Sequence, residues 1–260
     1  MVDVGLCQAD YDFFETHDGG MTWKPASLFP PGGSSANTPP GGTIHIGNCD
    51  GSAVGYYPPR TLIIANGDLM DETPKGVVRL SVSTDAGKSW RDLRLPLPDK
   101  HRDELVASLS PCFFGSKNAL LPVRVFKQDT NDSHSCNGMI FYATSDGGET
   151  WAPRPGIIEG DTGGERQWDF ISARNIFGCG GGNLYVTHDG AQSWQTIKPN
   201  IDFDRTISSG GVSQIDFADA THGWAVLYDT FKDFPHDTHY LYKTSDGGKT
   251  WTELPLNILH

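Results

Sequence analysis

Thr244-Ser245-Asp246-Gly247-Gly248-Lys249-Thr250-Trp251 decides how this 260-residue chain is read, because the same octet occurs four more times. The other copies are Thr16-His17-Asp18-Gly19-Gly20-Met21-Thr22-Trp23, Ser83-Thr84-Asp85-Ala86-Gly87-Lys88-Ser89-Trp90, Thr144-Ser145-Asp146-Gly147-Gly148-Glu149-Thr150-Trp151 and Thr187-His188-Asp189-Gly190-Ala191-Gln192-Ser193-Trp194. The shared pattern is Ser/Thr-x-Asp-x-Gly-x-Ser/Thr-Trp, with Gly190-Ala191 a small departure in the fourth copy. Its chemistry is that of a turn. An Asp side chain accepts hydrogen bonds from the backbone N–H groups just ahead of it. Glycine supplies the positive φ that a tight hairpin needs. The flanking hydroxyls bond back across the loop, and the Trp opens the next strand with a large apolar ring for a neighbouring sheet. Apolar or β-branched residues precede each copy: Phe13-Phe14, Leu80-Ser81-Val82, Ile140-Phe141-Tyr142, Leu184-Tyr185-Val186 and Tyr240-Leu241-Tyr242. The chain therefore reads as strand, turn, strand, five times over.

The octet resembles the Asp-box, or bacterial neuraminidase repeat, and five copies make the resemblance specific. It runs from about Val2 to Leu256. Families with this repeat include sialidases, xyloglucan-active glycosidases, sortilin-type receptors and photosystem II assembly-factor-like proteins. The resemblance implies an all-β fold: a β-propeller of four-stranded antiparallel blades, with the box on the hairpin between the third and fourth strands. Asp18, Asp85, Asp146, Asp189 and Asp246 are then turn formers, and Trp23, Trp90, Trp151, Trp194 and Trp251 are core residues. None of the ten is a catalytic candidate. Ile215-Asp216-Phe217-Ala218-Asp219-Ala220-Thr221-His222-Gly223-Trp224-Ala225-Val226 looks like the first two strands of a blade in the assembly-factor-like group.

Aspartate-to-aspartate spacings are 67, 61, 43 and 57 residues; the shortest approaches a bare four-stranded blade. Blade two is expected from Thr61 to Pro96 with Leu62-Ile63-Ile64 as its inner strand, and the Thr43–Tyr57 segment as an added hairpin. Blade three spans Leu105 to Arg154, blade four Gln167 to Lys198, and blade five Val212 to Leu256. The residues ahead of the first octet suffice for two strands, so blade one is incomplete. The chain reads as a single propeller domain, 1–260, and as a fragment or trimmed version of a six- to eight-bladed ring; a small five-bladed ring with unusual closure is the alternative.

Composition agrees with many turns and few helices: 31 glycines and 17 prolines, scattered along the chain. Twenty Lys+Arg against thirty-two Asp+Glu give a formal net charge of −12. Such a chain repels phosphate backbones and anionic lipid, and no basic run offsets this, so neither nucleic acid nor membrane insertion is expected. No apolar stretch is long enough to span a bilayer, and the N-terminus lacks the pattern of a signal peptide. The five cysteines, Cys7, Cys49, Cys112, Cys136 and Cys179, form no CxxC pair, which argues against structural zinc. Buried free thiols and one or two disulfides in an exported protein both remain open.

If the boxes occupy one rim, the loops between second and third strands and between blades occupy the other, where propellers usually bind. Four polar loops fall there: Gly67–Glu72, Lys127–His134, Glu159–Asp169 and Asp229–His239. They supply the ligand-binding candidates Asp68, Asp71, Asp129, His134, Trp168, Asp233, His236 and His239. Trp168 or Phe234 is suited to stacking on a sugar, and oxygen ligands at these turns suit calcium. His236 and His239 have helical metal spacing, but a Pro-containing loop is no helix, so no metal site is assigned. Against all of these stands the plain reading of acidic loops as solvated surface.

A sialidase resemblance implies three arginines, a Tyr–Glu nucleophile pair and an Asp acid. Tyr57-Pro58-Pro59-Arg60-Thr61-Leu62 is the nearest match to the family's first arginine motif, and it departs from that motif on both sides of Arg60. Arg124, Arg166 and Arg174 are further arginines without matching surroundings. Glu165, Asp169, Arg60 and Arg166 are the weak catalytic candidates; paired carboxylates are what glycoside hydrolysis requires. The expected function is a non-catalytic scaffold binding a glycan or protein through the loop face, in an extracellular or cell-envelope setting. The alternative is a sialidase-like glycoside hydrolase.

Overall fold

The computed structural model describes residues 5–9, 12–16, 21–22, 24–26, 53–57, 61–66, 75–85, 88–128, 134–159, 167–203, 210–233 and 236–255. These form strands, turns and one short 3-10 turn, with no α-helix among them. No helix of the described residues is long and apolar enough to cross a membrane. The chain divides into two compact units, residues 1–135 with 139–153 and residues 136–138 with 154–260.

The first unit holds three antiparallel sheets. β1 (Gly5–Ala9), β2 (Asp12–Thr16) and β3 (Lys24–Ala26) form a three-stranded sheet, with two strands ahead of the first octet. β4 (Ala53–Tyr57), β5 (Thr61–Asn66), β6 (Val77–Ser83) and β7 (Arg91–Pro96) form a four-stranded sheet in chain order. β8 (Leu105–Ser108) and β9 (Cys112–Phe113) both pair with β10 (Ala119–Gln128), which pairs with β11 (His134–Thr144) and so leads to β12 (Ala152–Pro153). In the second unit, β13 (Ile158–Glu159) pairs with the β11 strand. Two four-stranded sheets follow in chain order: β14 (Gln167–Phe170), β15 (Ile176–Gly180), β16 (Asn183–Thr187), β17 (Gln195–Ile197), then β18 (Gly210–Phe217), β19 (Gly223–Asp233), β20 (His236–Thr244) and β21 (Thr252–Leu254).

One strand assignment needs correcting. The sequence pattern makes Leu62-Ile63-Ile64 the inner strand of its sheet, but these residues lie on β5, the second strand. Ala53–Tyr57 precedes it and pairs with it residue for residue, from Ala53↔Ala65 to Tyr57↔Thr61. The Pro58-Pro59 break hides that continuity in the sequence, because a proline pair reads as a boundary.

The four described octets share one hydrogen-bond network. In the third, Thr144 Oγ1 donates to Asp146 Oδ1 (2.7 Å) and accepts from Gly148 N (2.9 Å). Asp146 also accepts from the Thr150 N–H (3.0 Å) and hydroxyl (2.5 Å). The same bonds recur around Asp246 and, with serine in the later position, around Asp189. Asp85 accepts from Ser83 and twice from Ser89. Backbone at Gly147, Gly148, Gly247 and Gly248 lies at φ of +74° to +92°. In the fourth octet Ala191 takes the same conformation at φ +64°, which is why the alanine departs from the pattern without breaking it. Each octet sits between the last two strands of its sheet.

A second contact was invisible in the sequence. The first turn glycine donates to a carbonyl in the hairpin just before the second strand: Gly147 to Lys117 O, Gly190 to Arg174 O and Gly247 to Thr221 O. These three sheets are thus stapled at one end, strand pair to strand pair.

Burial runs through consecutive residues of the middle strands. Met139, Ile140, Phe141 and Tyr142 are all fully buried, as are Ile176 and Phe177. An antiparallel strand buries neighbours in sequence only when both faces are covered. In the second unit the core joins Phe177, Cys179, Leu184 and Val186 of one sheet to Ile215, Phe217, Ala225 and Leu227 of the next, with Phe203 and Trp251 between them. Phe177 and Phe217 stack at 3.6 Å. The octet tryptophans are not equally deep: Trp251 is 3% exposed, whereas Trp90, Trp151 and Trp194 are only half-buried. Trp23 and Asp18 lie outside the described residues. Cys112 and Cys136 are half-buried and Cys179 is buried.

Candidate functional site

Because the octets close the strand pair at one end of each sheet, the connections between second and third strands leave from the other. In the last sheet this end is a ribbon. β18 begins at Gly210, opposite Asp229, while β19 runs on to Asp233 and β20 starts at His236. A β-bulge between Val212 and Gln214 and a register shift after Asp229 turn the ribbon away from regular pairing. The expected long loop over Asp229–His239 is therefore mostly strand, and both His236 and His239 lie on β20. His239 is exposed and sits opposite Tyr228. The Lys232 ammonium lies 4.8 Å from the centre of the Tyr240 ring, a cation–π contact, and the Lys232 N–H donates to Asp229 Oδ1 at 3.1 Å. The ribbon thus combines an aromatic ring, a cation and an imidazole at the end of the sheet opposite the octets.

The other predicted residues separate into two groups. Asp68, Asp71, Asp129, Arg60, Glu165 and Arg166, with Phe234, lie outside the described residues. His134 falls on β11, Asp233 on β19 and His236 on β20, as strand positions. Trp168 and Asp169 belong to β14, not to a loop. Trp168 packs its ring over Gly178, where a Cβ would come within 2.3 Å, and meets Trp194 edge-on at 5.8 Å. Asp169 Oδ2 accepts from the Phe217 N–H on the neighbouring sheet at 2.5 Å, and so ties β14 to β18. Burial pushes the Asp169 carboxyl above the usual range, opposed by that hydrogen bond and assisted by nearby Asp216. Arg124 is half-buried on β10, and Arg174 is exposed beside the fourth octet. Among the described residues no group of three or more His, Cys, Asp and Glu side chains could hold a metal ion; of the loops suited to calcium, residues 67–72, 129–133 and 160–166 lie outside them.

The octet carboxylates are electrostatically set. Hydrogen bonds from Ser89 hold the Asp85 carboxyl down at about 2. Desolvation works against Asp146 and Asp189, yet the bonds from Thr150 and Thr144, and from Ser193 and Thr187, bring both to about 2. A folded-state value below the unfolded one contributes stability above about pH 4, lost as pH falls toward 2. Thermal midpoints measured across that window are expected to fall, and to fall less steeply in Asp146→Asn. An equal slope in the variant would show that Asp146 takes no part.

No protein-family model matches the sequence, and no curated protein is significantly similar to it. Among solved structures, an ancestral GH74 enzyme aligns with 98% of this chain and 30% of its own, at 13% identity and TM-score 0.50. A Trypanosoma rangeli sialidase, solved with a difluoro-KDN ligand, aligns with 93% of this chain and 42% of its own, at 12% identity and TM-score 0.50. YCF48 bound to a peptide aligns with 97% and 77%, at 16% identity and TM-score 0.45. This chain thus spans less than half the length of the two enzymes. Identities this low speak to fold alone: an all-β chain of four-stranded antiparallel sheets, similar to the β-propeller type of these enzymes.

Proposed function

We propose that the chain is a non-catalytic Asp-box β-propeller scaffold that binds a glycan or a protein surface through the end of its sheets opposite the octets. The observation that carries this reading is the β19–β20 ribbon. β19 and β20 extend past β18; Lys232 of that extension lies over the Tyr240 ring, which with exposed His239 sits just inside it, level with Val212 and Gly211 of β18. Aromatic rings with polar neighbours bind by area and hydrogen bonding and need no covalent step. Asp85, Asp146, Asp189, Asp246 and Asp169, by contrast, are engaged in the fold: the octet aspartates by their hydroxyl and N–H donors, and Asp169 by Phe217.

A sialidase-like glycoside hydrolase is the second reading, and the raised carboxyl of Asp169 favours it, since a glycosidase acid must hold its proton. Asp169 would need a second carboxyl within about 5–10 Å, and Glu165 is the candidate. A glycan array run beside a fluorogenic glycoside panel separates the two. Binding without turnover is expected, with affinity reduced about tenfold in Tyr240→Ala, the loss typical of one aromatic anchor. Turnover abolished by Asp169→Asn or Glu165→Gln would overturn the scaffold reading.

A further inference from the structure

The octet end of the first unit carries a concavity of its own. It has a volume of about 240 Å³ and is lined by Val82, Thr84, Ser89, Trp90, Arg91 and Glu149. Two successive octets build it: Thr84, Ser89 and Trp90 come from the second, and Glu149 from the third. Arg91 joins them. Its guanidinium pairs with Glu149 Oε2 at 2.9 Å and donates to the Glu149 carbonyl at 3.2 Å. Both side chains remain about half exposed, 46% and 50%, so the pair forms a reachable edge. Trp90 is half-buried, and Ser89 is held in place through its N–H and hydroxyl bonds to Asp85.

We propose that this concavity is a binding site for a single neutral sugar ring, distinct from the ribbon at the other end of the sheets. Three features argue for that ligand class. The lining is mostly polar, with the half-buried Trp90 indole among it, which suits a hydroxyl-rich ring that still has C–H edges. Ser and Thr hydroxyls, a guanidinium and a carboxylate supply both donors and acceptors at short range, which is what vicinal hydroxyl groups require. The charges are already paired, so a neutral ligand keeps Arg91–Glu149 intact, whereas an anionic one must compete with Glu149 in a chain of net charge −12. The volume takes one ring and not an extended oligosaccharide. For a ligand of about a dozen heavy atoms, affinity falls near the millimolar range.

Saturation-transfer NMR on the full chain tests this with methyl β-D-glucopyranoside, methyl β-D-galactopyranoside and, as the anionic control, methyl β-D-glucuronide. At least one neutral glycoside is expected to receive saturation at its ring C–H protons, more strongly than the glucuronide. Arg91→Gln and Glu149→Gln alter half-exposed side chains and spare the octet network; each is expected to weaken binding about tenfold, as loss of one charge-assisted hydrogen bond does. Tyr240→Ala is expected to leave the signal unchanged, which keeps this site separate from the ribbon. Absence of transfer from both neutral glycosides, undiminished transfer in both variants, or preference for the glucuronide would each overturn the proposal.

Discussion

Trp251→Ala is expected to destabilise the second unit by about 3–5 kcal/mol, the range for deleting a large buried aromatic. The ring is 3% exposed and sits between two sheets. It meets Phe203 edge-on at 5.5 Å and Phe217 at 5.9 Å. Its indole N–H donates to Gly248 O at 2.9 Å, so truncation also orphans part of the turn. Its backbone N–H donates to Asn200 Oδ1 at 2.7 Å, and its carbonyl accepts from Asn200 Nδ2 at 3.1 Å. These backbone bonds survive substitution, which limits the effect to the side chain. Urea unfolding followed by far-UV circular dichroism measures the loss. Trp194→Ala, at a half-buried position, is expected to cost less. A loss below about 1 kcal/mol for Trp251→Ala would contradict its place as the apolar wedge between sheets.

Gly248→Ala is expected to cost about 2–5 kcal/mol from two separable sources. Backbone at φ +88° disfavours an L side chain by about 1–2 kcal/mol. The added Cβ would also lie 2.1 Å from Leu184 Cδ2 on the adjoining sheet, and overpacking of this kind costs about 1–3 kcal/mol. The fourth octet provides the internal control. Ala191 already occupies the equivalent position at φ +64° with no exposure, so the conformation alone is tolerable. Gly148→Ala should follow Gly248→Ala more gently, because its Cβ would approach the tip of Ile63 at 2.8 Å. A cost for Gly248→Ala of no more than the backbone strain would mean that Leu184 moves aside freely.

The octets were legible residue by residue because the hydroxyl, carboxylate and N–H bonds that close each turn span four positions or fewer. A hydroxyl, a carboxylate and a positive-φ glycine at those offsets specify the turn wherever it sits. The strand runs before each octet were legible for the same reason. Other features depend on partners far apart in the chain. The order β4-β5-β6-β7 was obscured by Pro58-Pro59, since only the pairing partner shows that a strand continues beyond such a break. Trp168 and Asp169 read as loop residues because Gly-rich sequence surrounds them, yet pairing to β15 makes them strand, and Phe217 claims the carboxylate. The buried pair of His101 Nδ1 and Glu104 Oε2, 2.9 Å apart, has no signal in the sequence, where its neighbours Asp99, Lys100, Arg102 and Asp103 are all charged.

Short-range hydrogen bonding, then, was written into the chain: the four described turns, each ending in tryptophan, and the all-β class that follows from them. Which tryptophan is deeply buried, which carboxylate ties two sheets together, and which pair of octets encloses a polar hollow were settled by packing. Those outcomes depend on the distance between residues about 50 or more positions apart, such as Arg91 and Glu149 or Asp169 and Phe217. No local pattern encodes such distances, because they arise only when neighbouring sheets meet.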